Sequence, residues 1–261
     1  MPANNWTEDQ LKLAFSLYVQ IPFGQLHKGN REIIALARLI GRTPSAVAMK
    51  LVNFASMDPA IINSGRKGMG NASALDRQVW AAFHADWEGL AVECEHILEQ
   101  LRQRSGIEEG PLPPDEDDSI ELADYSGETR RVVSEQRVKQ GFFRRAVLSS
   151  YGSVCCMTGL AEPKLLIASH IVPWSEDKKN RLNPGNGLCL SALHDKAFDC
   201  GLIGVRPDFS IAISGELRKL SNNPHAFSTL IALEGKSIFL PQKFLPEVAF
   251  LDHHYSTIFL G

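Results

Sequence analysis

The chain has little cysteine, no long apolar run and no surplus of positive charge. Its five cysteines, Cys94, Cys155, Cys156, Cys189 and Cys200, are odd in number, form no Cys-x-x-Cys pair and are too few to staple 261 residues. That excludes a disulfide framework and points to reduced, mostly buried thiols. No stretch approaches the roughly 18 to 20 apolar residues that span a bilayer. The opening residues, Met1 to Trp6, lack the basic and apolar regions of a signal peptide. No membrane partner and a cytoplasmic location are therefore expected. With 30 acidic against 27 basic residues the net charge is −3, which excludes nucleic-acid binding through bulk positive charge.

What is present is a globular composition, 44% hydrophobic and 22% charged, with its charge unevenly placed. Residues 101 to 128 carry two Lys/Arg against nine Asp/Glu, whereas residues 129 to 261 carry sixteen against eleven. The acidic stretch also holds Gly110-Pro-Leu-Pro-Pro114, so residues 105–128 read as a linker. Ahead of it, apolar residues recur at helical spacing, in Leu11, Phe15, Tyr18 and Val19, then Ile33, Ile34, Ala37 and Ile40, then Val47, Leu51 and Phe54. Residues 1–104 are predicted to form an all-helical domain. Within it, Gly41-Arg-Thr-Pro44 separates two helical segments, with Thr43 as N-cap and Pro44 at the first helical position, the punctuation of a helix-turn-helix.

Beyond the linker, residues 129–261 are predicted as a small α+β domain. A basic helix over Val132 to Ser150 precedes strands at Leu165 to Ile171 and Gly187 to Leu190. A short helix follows at Ala192 to Phe198, then strands at Leu202 to Val205 and Phe209 to Ile213. Three polar residues interrupt this apolar frame: His170 at the end of a strand, Asn186 in the connection after it, and His194 at the start of a helix. A hairpin packed on a helix brings such groups into one crevice, and they suit phosphodiester hydrolysis. One neutral histidine takes a proton from water, and a divalent ion held by the other stabilises charge developing on phosphate. The asparagine can hold the connecting loop through backbone hydrogen bonds.

At these residues the chain resembles the HNH endonucleases of the ββα-metal type, in their bacterial restriction-type branch. The resemblance rests on Cys155-Cys-Met-Thr-Gly159, Ala168-Ser-His-Ile-Val-Pro-Trp174, Asn183-Pro-Gly-Asn-Gly-Leu-Cys-Leu190 and His194-Asp-Lys-Ala-Phe-Asp199, four motifs in family order. It implies that His170 is the general base, Asn186 the residue orienting it, and His194 a metal ligand. Two positions depart from the wider family: Ser169 stands where many members place an aspartate or histidine ligand, and Phe198 where some carry a further histidine. A thin ligand shell favours hydrated Mg²⁺ or Mn²⁺ over caged zinc. Asp199, about 140° round an ideal helix from His194, reads as a helix-end residue, and His253 with His254 as part of a closing structural segment.

DNA is the expected partner. Arg144, Arg145, Lys178, Lys179 and Arg181 are candidates to neutralise phosphates around the scissile bond. In the helical domain, Lys50, Asn53, Arg66 and Lys67 are candidates to contact DNA. The expected activity is that of a metal-dependent endonuclease of restriction or phage-defence type. Two alternatives stand beside it: an effector nuclease switched on by a partner or nucleotide, and a non-catalytic DNA-binding protein on a degenerate HNH fold. One site per chain cuts one strand per event, so a double-strand break requires a homodimer or two encounters.

Overall fold

The computed structural model describes residues 5–65, 70–106 and 127–261, the last from 127 to 134 by backbone alone. The expected acidic linker lies, between 107 and 126, outside the described residues, and so do Arg66 and Lys67. Two compact units are present, Met1–Ala146 and Val147–Gly261, and the architecture is mixed α and β, as the sequence predicts.

The first unit is helical: α1 (Glu8–Gln20), α2 (Arg31–Leu39), α3 (Pro44–Ala55), α4 (Pro59–Asn63), α5 (Ala74–Ala85), α6 (Trp87–Ser105) and most of α7 (Gly127–Ser150). Local chemistry sets their starts. Thr7 and Ser73 close capping boxes with Gln10 and Asp76, while Asn30 and Thr43 cap α2 and α3 through their side-chain oxygens. Phe15 sits at the centre of the core, its ring 4.5 Å from Phe83 and 5.1 Å edge-on from Phe54. Beside it, the Tyr18 hydroxyl donates to Asp58 Oδ2 at 3.0 Å, so a buried phenol and a buried helix cap satisfy one another.

In the second unit, β1 (Leu166–His170) pairs antiparallel with β2 (Gly187–Ser191), Ser169 opposite Leu188 and His170 opposite Gly187. Next comes α8 (Ala192–Asp199), packed on both strands. It stops at Gly201, whose φ of +69° and closeness to the Ile258 carbonyl leave no room for a Cβ. A second hairpin, β3 (Ile203–Val205) with β4 (Ile211–Ile213), precedes the short helices α9 (Gly215–Arg218) and α10 (Pro224–Thr229), and α11 (Val248–Thr257) packs on β3. The thiols are free and all but Cys200 are buried. Cys155 Sγ accepts the Ser191 N–H at 3.3 Å, tying the Cys-Cys-Met-Thr-Gly turn to the junction of β2 and α8.

Candidate active site

His170 ends β1, where the chain leaves the hairpin for a long connection, residues 171–186. Its Nε2 lies 2.9 Å from the Arg181 carbonyl. A carbonyl only accepts, so Nε2 carries the proton and the neutral ring presents its lone pair on Nδ1. Burial lowers the pKa of His170, opposed in part by the bond to the Arg181 carbonyl, while the Arg181 charge lowers it further. The ring is thus neutral in the range where a base is needed.

Asn186 is fully buried and spends its side chain on this connection. Its Oδ1 accepts the Val172 N–H at 2.8 Å, and its Nδ2 donates to the carbonyls of Val172 (3.1 Å) and Asn180 (3.3 Å). Its own carbonyl accepts the Ile171 N–H at 2.9 Å. These bonds fix the two residues after His170 and the one before Arg181. At the N-cap of α11, Glu247 accepts from Asn183 at 2.8 Å, and within the helix His253 meets Glu176 at 3.0 Å, bracing the outer part of the same loop.

His194, expected as a metal ligand, lies in the first turn of α8. It is 5% exposed, its Nδ1 is 2.7 Å from Ser191 Oγ and its Nε2 is 2.9 Å from the carbonyl of Thr229, the last residue of α10. Both ring nitrogens are committed, Nε2 as donor to the carbonyl and Nδ1 as acceptor from the serine. Ser191, at the N-cap of α8, makes no side-chain cap bond. Burial lowers the pKa of His194, against the Thr229 bond. A metal could use this ring only after one bond broke, so its place is that of a neutral bridge between helices.

The next residue, Asp195, is half-buried beside Ser169. Ser169, 3% exposed, turns a hydroxyl without a hydrogen-bonding partner towards it, and that proximity with the Lys196 charge offsets part of the burial that raises the Asp195 pKa. Asp199 lies one helical turn further on. Its carboxyl is raised by burial and then by the charge of Asp195, which places the two carboxylates within each other's field. An orphaned buried hydroxyl and two carboxylates suit a hard cation that completes its shell with water and phosphate oxygens. No group of three His, Cys, Asp or Glu side chains converges among the described residues, so Zn²⁺ in a closed cage finds no set here. Asp195 was not among the residues singled out from the sequence, although its spacing of four from Asp199 marks one helix face.

Of the candidate phosphate contacts, Lys178 and Lys179 are exposed in the loop between His170 and Asn186, and Arg181 is half-buried beside them. Arg144 and Arg145 group with the helical unit, where Arg145 Nε donates to Gln20 of α1 at 2.6 Å. Lys50 and Asn53, the described candidates of the helical unit, have side chains engaged within it. The Lys50 ammonium is bound by both oxygens of the fully buried Asp76 at 2.9 Å, and Asn53 is 6% exposed, so neither side chain lies open to a base edge. Packing of α3 against α5 turns that face inward. His254 stacks on Phe198, ring centroids 3.7 Å apart, and its Nε2 meets the Phe198 carbonyl at 3.2 Å, which makes it a structural tie between α11 and α8.

Residues 155–206 match the family model described as HNH endonuclease, a span that holds His170, Asn186, Asp195 and Asp199 together. No curated protein gives a match. No helix among the described residues is long and apolar enough to cross a membrane. Nucleases of this family act on nucleic acid and generally use a divalent metal. The motif order, the paired strands followed by a helix and the family match agree that residues 155–206 carry an HNH endonuclease domain.

Proposed function

We propose that the chain is a metal-dependent DNA endonuclease of restriction or phage-defence type. His170 Nδ1 takes the proton from the attacking water while Nε2 stays on the Arg181 carbonyl, so the ring keeps one orientation as it becomes charged. Asn186 holds both ends of the loop that carries this carbonyl, acting on the base without touching the reacting atoms. Asp195 and Asp199, with Ser169, would hold a divalent ion, Mg²⁺ or Mn²⁺, which when bound stabilises negative charge on the phosphate and leaving oxygen. Exposed Lys178 and Lys179, with Arg181, meet the DNA backbone, a contact that positions but carries no sequence information.

One observation carries this reading: the proton-bearing nitrogen of His170 is fixed on a backbone carbonyl whose loop is clamped by Asn186, so the other nitrogen is kept as a base. Digestion of plasmid and of phage genomes, with and without cytosine modification, in Mg²⁺ or Mn²⁺ and followed by end mapping, tests it. Metal-dependent cleavage lost in His170→Ala is the expected result. Binding of DNA with no cleavage in either metal would favour a non-catalytic protein on this fold. Cleavage only after addition of a partner or nucleotide would favour an effector role for the helical unit.

A further inference from the structure

We infer that Trp174 is a positioning residue of this nuclease, holding the Arg181 guanidinium at the phosphate and seating the His170 ring, so that cation and base are set as one piece. The inference rests on the nuclease reading above. Three contacts close a circuit within twelve residues of chain. His170 Nε2 donates to the Arg181 carbonyl at 2.9 Å, Arg181 Nε donates to the Trp174 carbonyl at 2.7 Å, and the indole stands edge-on to the imidazole with centroids 5.6 Å apart and planes at 88°. The Arg181 guanidinium carbon also lies 5.0 Å from the Trp174 ring centroid.

The physical consequence lies in what each contact leaves over. A guanidinium has five N–H donors. Its place over the indole and the bond from Nε hold it, while its terminal nitrogens make no hydrogen bond among the described residues. Those donors are left for a phosphate, and prior ordering of the side chain reduces the entropy lost on binding. Since the carbonyl of the same residue orients the base, any shift of Arg181 also shifts His170. Pro173 precedes Trp174, and Asn186 holds Val172 just before it, so the indole is presented from a clamped stretch.

The test uses the full chain and duplex DNA. Affinity is measured by fluorescence anisotropy over a KCl series in EDTA, and steady-state cleavage in Mn²⁺. Arg181→Gln and Trp174→Met should each lower the slope of log affinity against log salt by about 0.9, the loss of one phosphate contact. Each should weaken binding about five- to tenfold, and the double variant should be no weaker than either alone. In cleavage, Arg181→Gln should mainly raise KM, whereas Trp174→Met should also lower kcat roughly tenfold because it unseats the base. Trp174→Phe, which keeps a ring face, should stay within about threefold of the parent in both assays. Trp174→Met at the parent's salt slope, or additive losses in the double variant, would overturn the role of Trp174 while parental cleavage keeps the nuclease reading. Met and Phe variants that behave alike would overturn it too, as they would show that volume alone matters. A parent chain that neither binds nor cuts DNA refutes the nuclease reading and this inference together.

Discussion

Asn186 and Val172 share a two-way hydrogen bond: the amide Oδ1 accepts the Val172 N–H at 2.8 Å and Nδ2 donates to the Val172 carbonyl at 3.1 Å. A side-chain amide here does what a paired strand would do, between residues fourteen apart in sequence, and it does so without exposure to water. Two buried backbone groups next to His170 therefore depend on one side chain.

Replacing Asn186 by Ala is expected to leave those groups unpaired, at about 1 to 3 kcal/mol of stability, and to lower kcat more than it raises KM. Asn186→Asp should be no better. It keeps the acceptor for Val172 but sets a carboxylate oxygen against the carbonyls of Val172 and Asn180. Urea unfolding with steady-state cleavage checks both. An Asp variant with parental kcat would show that the clamp does not orient the base.

The pH dependence follows from His170. Burial holds its pKa below the ordinary 6.5, so the basic form persists to lower pH than for an exposed imidazole. The acid limb of kcat/KM, measured at saturating metal, is expected below pH 6.5, with the rate rising as pH increases through the limb. His170→Ala should lose about 10²- to 10⁴-fold in rate. A limb lying above 6.5 would point to a different base.

Metal binding separates two neighbouring residues. Asp195→Asn is expected to weaken Mn²⁺ binding, read by titration calorimetry, with little change in thermal midpoint. His194→Ala should instead lower the midpoint, since it removes the bonds to Ser191 and Thr229. If His194→Gln folds normally yet loses all Mn²⁺ affinity while Asp195→Asn keeps it, the ligand assignment is reversed.

Acid sensitivity of the fold is expected from His254, whose pKa is lowered to about 4 by burial, against its bond to the Phe198 carbonyl and helped by His253. Its Nδ1 is buried with no partner, so a second proton has nowhere favourable to sit. Between pH 6.5 and about 4 the unfolded chain binds this proton and the folded chain does not. Stability on this account is full above 6.5 and falls as pH drops to about 4, by on the order of 3 kcal/mol. Denaturation midpoints from pH 7.5 to 4.5 measure it, and the slope should flatten in His254→Gln.

Much of this protein is legible in its residue order, where the controlling interactions are local. Short apolar runs give β1 and β2. Thr43-Pro44 opens α3, and the series from His170 to Asp199 gives the hairpin and helix within a residue or two of where they lie. His170 could be singled out as a polar residue closing an apolar strand, and Asn186 as one in the Pro-Gly connection just before the next.

Other features were decided by segments distant in sequence. His194 and Asp195 are neighbours on one helix, and nothing in their order says which side chain the fold engages. The carbonyl of Thr229, 35 residues on, engages the first and so leaves the second towards Ser169. In the same way Lys50 and Asn53 have the composition of a recognition face, yet Asp76, 26 residues beyond Lys50, binds the ammonium, and burial takes the amide. The sequence by itself determined the elements and the hairpin, and it singled out His170. Tertiary structure alone decided which polar side chains were consumed by the fold, because a polar group brought out of water bonds to whatever partner packing supplies.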